Sequence, residues 1–247
     1  IFPLTLSTLA GLSTLIGAIF IFFKIQDKNL NKFISFCLAF SISVMITISI
    51  LDLIPTSFFQ ISNIYGVGKS ILVLIISFFI SYIIITYLSN LIDKENKGVD
   101  LYKLGILNMI VLILHNLPEG IATFLSSYHS TSLGIKLSLA IMLHNIPEGI
   151  SIAVPIYYAT GSRKKAIKST LISGLSEPLG AILAYVFLKR FVSDVMISIV
   201  LIVVAGLMIT LSIQEMFPKV VKYNERKYLY LGLIIGTILV IINVLIS

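Results

Sequence analysis

The sequence predicts an all-α integral membrane protein of eight transmembrane helices, arranged with inverted-repeat symmetry and with both termini outside. Three observations carry that expectation. Of 247 residues, 57 % are hydrophobic and only 12 % charged, about half the charged share of a soluble domain, and mean hydropathy is +1.05. Eight apolar runs reach the roughly 20 residues that a helix needs to cross a hydrocarbon core. Finally, 14 of the 18 Lys and Arg fall in alternate connections between these runs.

In chain order the runs cover residues 3–23, 33–58, 69–92, 104–127, 134–159, 168–188, 194–217 and 228–246. Connections this short leave no room for a soluble unit, so residues 1–247 form a single transmembrane domain. The connections after runs one, three, five and seven hold the excess of Lys and Arg, including Lys24, Lys97, Arg163 and Lys222, and the positive-inside rule makes them cytoplasmic. Basic residues spread over short loops do not form a nucleic-acid-binding face; the lipid bilayer is the expected partner.

The first run has no basic stretch ahead of it and is too long for a signal-peptide core, so it is expected to span. Its Gly11, Ser13, Thr14 and Gly17 read as a close helix contact, because small residues let backbones approach in lipid. Cys37, the only cysteine, excludes a disulfide framework and a thiolate cluster. The segment Asp93–Lys103 is expected to be a solvated cytoplasmic loop, and His129 an ordinary exposed residue between runs four and five. In the last run Gly232 and Gly236 form a Gly-x-x-x-Gly pair. It packs either within the chain or between two chains of a homodimer, and spacing alone leaves both open.

Chemistry concentrates in runs four and five. His115-Asn116-Leu117-Pro118-Glu119-Gly120 and His144-Asn145-Ile146-Pro147-Glu148-Gly149 repeat one hexapeptide 29 residues apart. Within each copy His and Glu stand four residues apart, on one face of a helix. Ionisable side chains in a hydrocarbon segment are expensive and mark function. A lone His there reads more readily as packing than as a ligand, but the same placement twice points to a metal site. Pro118 and Pro147 free the carbonyls of Leu114 and Leu143 beside each His, and broken helices near the midplane mark transporter sites. Consecutive spans run in opposite directions, so the two copies form an inverted repeat. Glu177 in run six, also beside a proline, adds a third carboxylate. No basic residue lies at the same depth to balance Glu119, Glu148 and Glu177. One or two divalent cations supply +2 or +4 against −3, so a binuclear site is within reach of the charges. Imidazole with carboxylate suits Zn²⁺, Fe²⁺, Mn²⁺, Co²⁺ or Cd²⁺, and Ca²⁺ or Mg²⁺ less well. Such an ion is transported substrate; no resident cofactor is expected. Asp52 near the outer end of run two, and Gln214 with Glu215 near the inner end of run seven, read as the mouth and exit of a cation path or as interfacial groups that reach water.

At these residues the chain resembles the ZIP (Zrt/Irt-like protein) family of divalent metal transporters, in its bacterial ZupT-type branch. The resemblance rests on the two His-Asn-x-Pro-Glu-Gly motifs, on Ser173-Gly174-Leu175-Ser176-Glu177-Pro178-Leu179-Gly180-Ala181, and on the eight spans. It implies that His115, Glu119, His144 and Glu148 hold one ion, while Asn116, Asn145 and Glu177 complete a second site bridged by Glu119 and Glu148. It also implies entry past Asp52, exit past Glu215, and movement of helices one, four, five and six against the rest. The histidine-rich loop that many members carry between helices three and four is not found in this chain, so sensing by such a loop is not expected.

Divalent metal uptake through the plasma membrane is therefore the leading expectation. No Gly-x-x-x-x-Gly-Lys loop is present to use ATP, and 100 mV, negative inside, contributes about 2 × 2.3 kcal/mol to an entering divalent ion. The alternative is an intramembrane metalloenzyme or sensor using the same residues. It lacks a His-Glu-x-x-His motif and a spare base, so no enzyme activity is expected.

Overall fold

A computed structural model of the chain describes residues 2–95, 100–186 and 194–246, and among these it contains helices and no strands. Among the described residues eight helices are long and apolar enough to cross a membrane. They are α1 (Phe2–Phe22), α2 (Asp27–Tyr65), α6 (Arg163–Val186) and α7 (Val195–Lys222), with α3 (Val67–Glu95), α4 (Asp100–His129), α5 (Thr131–Thr160) and α8 (Arg226–Ile246). Two turns are closed by glycine in the left-handed region, where a side chain would strain the backbone. Gly66 (φ 85°) joins α2 to α3, and Gly161 (φ 65°) joins α5 to α6.

The helices pack in two groups. One comprises α1, α4, α5 and α6; in the other, α8 lies along α2 while α3 and the end of α2 lie along α7. Contacts of α2 with α5 and of α4 with α7 join the groups. Glycines set the closest approaches. A Cβ on Gly120 would run into the backbone carbonyl of Glu177 on α6, and one on Gly149 into that of Thr14 on α1. The small-residue stripe of α1 is thus a packing seam against α5 and α6, as its composition predicts.

Gly232 and Gly236 belong to the same class. A Cβ there would stand 2.7 Å from the carbonyl oxygens of Phe36 and Phe40, so this pair seats α8 on α2 within the chain.

Several expected boundaries move. Helix α2 runs from 27 to 65 rather than 33 to 58, α6 starts at 163 rather than 168, and α7 continues past Pro218 to Lys222. Helix α7 passes Pro218 in the same way that α2 passes Pro55. One wide turn with an i→i+5 bond precedes each proline, Ile54 N–H to Ser49 O and Phe217 N–H to Ser212 O, so the missing proline donor does not end the helix. Helices α4 and α5 also run unbroken through Pro118 and Pro147. The interruption expected near the midplane falls instead in α6, between Gly174 and Ser176.

The loop expected over Asp93–Lys103 is also corrected. Residues 96–99 lie outside the described residues, but 100–103 form the first turn of α4 and Lys103 is buried. His129 closes α4 instead of standing in a loop, and its side chain lies outside what is described, as do Lys189 and Arg190.

Candidate metal centre

The two hexapeptides are folded alike. In each, His, Asn, Pro, Glu and Gly are buried, the residue between Asn and Pro is half-buried, and the leucine before His is exposed. Antiparallel packing of α4 on α5 brings their buried faces together. His115 Nε2 lies 3.2 Å from Glu119 Oε1 on its own helix and 3.2 Å from Glu148 Oε1 across the interface. His144 Nε2 lies 3.2 Å from Glu119 Oε1. Donor atoms of His115, His144 and Glu148 fall within 4.8 Å of one another.

These contacts leave much polar capacity unused. His115 Nε2, both carboxylate oxygens of Glu148 and Oε2 of Glu119 have no hydrogen-bond partner despite burial. Buried groups of this kind are destabilising by about 1 to 3 kcal/mol each unless something satisfies them. A divalent cation among two imidazoles and two carboxylates does so at once, with a donor set suited to zinc and its neighbours.

Glu177 and the two asparagines form an adjoining layer. Asn145 Nδ2 donates to Glu177 Oε1 at 2.5 Å and to the Ala10 carbonyl at 2.9 Å, tying α5 to α6 and α1. Asn116 Nδ2 donates to the Ser173 carbonyl at 3.3 Å. With their nitrogens engaged, Asn116 Oδ1, Asn145 Oδ1 and Glu177 Oε2 stay without partners. The backbone around this layer is pinned by hydroxyls: Ser7 to the Glu177 carbonyl at 3.1 Å, Ser13 to that of Met142 at 3.1 Å, and Ser41 to that of Pro147 at 2.8 Å.

Asp52 is exposed and accepts a hydrogen bond from Thr56 at 3.3 Å. It shares a cavity of about 140 Å³ with Thr56, Ala140, Glu119 and His144, so the cavity runs from this carboxylate to Glu119 and His144. Glu215 is placed differently. It receives Ser89 Oγ at 2.6 Å and Lys219 Nζ at 2.9 Å, with Lys103 Nζ at 3.6 Å. Gln214 sits half-buried in the same wide turn.

A second repeat passes unnoticed when attention rests on the histidines. Met45-Ile46-Thr47-Ile48-Ser49-Ile50-Leu51-Asp52-Leu53-Ile54-Pro55 matches Met208-Ile209-Thr210-Leu211-Ser212-Ile213-Gln214-Glu215-Met216-Phe217-Pro218, with Met, Ile, Thr, Ser, Ile and Pro identical and the acid conserved in charge. Aligning the chain with itself would have found it. The structure pairs the copies reciprocally: Ser49 Oγ lies 3.9 Å from Met208 Sδ, and Ser212 Oγ 3.9 Å from Met45 Sδ. Asp52 and Glu215 are therefore equivalent positions of one motif, at opposite ends of the same pair of helices.

A family model described as ZIP Zinc transporter matches residues 93–243. Curated proteins named Zinc transporter ZupT are similar over nearly the whole chain. That of Oceanobacillus iheyensis is 39 % identical over 97 % of this chain and 96 % of its own length. That of Clostridium perfringens is 34 % identical over 97 % and 94 %. That of Lysinibacillus sphaericus is 36 % identical over 94 % and 92 %.

Proposed function

The chain belongs to the ZIP zinc transporter family, and on that premise we propose that it carries zinc, and with it other divalent transition metals, into the cytoplasm through His115, Glu119, His144 and Glu148. It is a multi-pass protein of the plasma membrane and a transporter of divalent metal, not an enzyme. The observation that carries the proposed path is the set of imidazole–carboxylate contacts at 3.2 Å between α4 and α5.

The steps follow from the groups present. A cation is drawn to Asp52 and enters the cavity that ends at Glu119 and His144. Neutral imidazole nitrogens and the two carboxylates replace its water. Glu119 and Glu148 then share it with the layer of Asn116, Asn145 and Glu177, so each step trades ligands rather than releasing the ion into hydrocarbon. Exit past Glu215 completes the path. The two packing groups of helices supply a natural sliding boundary, since the proposed ligands all belong to α4, α5 and α6. The whole chain works as one transmembrane unit.

The test is uptake of Zn²⁺, Fe²⁺, Mn²⁺ and Cd²⁺ into proteoliposomes, beside the Glu119→Ala variant. Saturable uptake that the variant loses supports the path and ranks the metals. Equal uptake by a correctly folded variant would sink it.

A further inference from the structure

The two copies of the Met-Ile-Thr-x-Ser-Ile motif hold equivalent carboxylates in opposite conditions. Asp52 is exposed to a cavity and accepts a hydrogen bond from the neighbouring Thr56 hydroxyl. Glu215 is clamped between two lysines and a serine, and those three residues are themselves buried. One end of the α2–α7 pair is thus open and the other shut.

The clamp is built from unequal parts. Lys219 lies four residues from Glu215 on α7, so their contact moves as a unit. Ser89 reaches Glu215 from α3, within the same packing group. Lys103 comes from α4, the helix that carries His115 twelve residues and Glu119 sixteen residues further on, about 18 and 24 Å along its axis. Of the three contacts in the clamp, this one crosses from the ligand-bearing group of helices to the other. A lysine suits this task, being a point charge on a flexible stem that can let go without disturbing the helix.

We propose that Lys103 is a tethered cation that occupies the exit carboxylate Glu215 until the transported metal displaces it, and so decides when, and to which ions, this end opens. The proposal rests on the exit reading of Glu215 above. A divalent ion interacts with a carboxylate about twice as strongly as an ammonium at the same distance, so it can compete where a monovalent ion cannot. The remaining charge of Lys219 keeps Glu215 from trapping the ion, as a conducting path requires.

The test uses the full chain in liposomes, with Cys37→Ala and a reporter Ser212→Cys. Ser212 is fully buried, one turn deeper than Glu215, and the change is nearly isosteric. A membrane-impermeant cationic methanethiosulfonate is applied from the Lys-rich side, and the labelling rate is followed with and without Zn²⁺. Labelling is slow in the parent. Lys103→Gln raises it about tenfold, the response expected when a two-state closure loses one favourable contact. Lys103→Arg leaves it slow, Lys103→Glu and Glu215→Lys each speed it, and the two together restore slow labelling. Zn²⁺ speeds labelling in the parent but not in Lys103→Gln. Unchanged labelling in Lys103→Gln, or a double variant as fast as the singles, would overturn the proposal. Uptake in Glu119→Ala is scored alongside. If that variant loses uptake while Lys103→Gln labels slowly, only the latch fails. If Lys103→Gln labels fast while Glu119→Ala transports normally, the latch stands and the proposed metal path fails.

Discussion

His144 Nε2 lies 3.2 Å from Glu119 Oε1, although the two side chains belong to different helices and different copies of the hexapeptide. Glu119 also lies 3.2 Å from His115 on its own helix, so one carboxylate meets both imidazoles. Loss of Glu119 therefore removes a proposed ligand that both copies share. Glu119→Ala is expected to lower the initial rate of Zn²⁺ uptake by about 100-fold or more, beyond the 10- to 100-fold cost usual for groups that only orient a metal ligand. Glu119→Asp keeps the charge but shortens the reach, and should retain a measurable fraction.

Glu177 lies in the adjoining layer, where Asn145 donates to it at 2.5 Å, and is proposed to complete a second ion site. Glu177→Ala should spare the His115–Glu119–His144–Glu148 set and weaken the second ion. Titration calorimetry of the purified protein is expected to show a stoichiometry that falls from two Zn²⁺ to one, with residual uptake. An unchanged stoichiometry would remove Glu177 from the site.

On the proposed path Asp52 meets the ion only on entry. Asp52→Asn is expected to raise the half-saturating Zn²⁺ concentration by roughly 3- to 10-fold, and the change should shrink at high ionic strength because the lost effect is attraction across water. The maximal rate should stay within about twofold, since neutral asparagine leaves the later ligands in place. A fall in maximal rate with unchanged half-saturation would assign Asp52 a different role.

Gly120 faces the carbonyl of Glu177 with no room for a methyl group. Gly120→Ala should destabilise the protein by about 1 to 3 kcal/mol, the range for overpacking a tight contact. A thermal melt in detergent should show the loss, and Gly68→Ala, where an added Cβ meets open space, should not.

Much was legible before any fold was drawn. Apolar length, the placement of Lys and Arg, and the His-Asn-x-Pro-Glu-Gly pair are local properties of the chain. They suffice to announce eight spanning helices and to single out the buried His and Glu residues, because hydrocarbon leaves few structural solutions for a long apolar run and few uses for a buried charge. The match of Met45–Pro55 with Met208–Pro218 was equally present in the letters, and escaped notice because neither copy contains a histidine.

Partnership was decided only in three dimensions. Gly232 and Gly236 suit any close helix contact, and packing gave them to α2. Lys103 reads as a loop cation, yet it is buried against Glu215, more than a hundred residues later. Pro218 looks like a helix end, and one wide turn ahead of it carries α7 through, as another does for α2 at Pro55. Hydropathy and helical period depend on neighbours a few residues away. Which faces meet depends on the summed close packing of the whole bundle, where lipid is as apolar as a leucine side chain and only fit and polar contacts distinguish one partner from another.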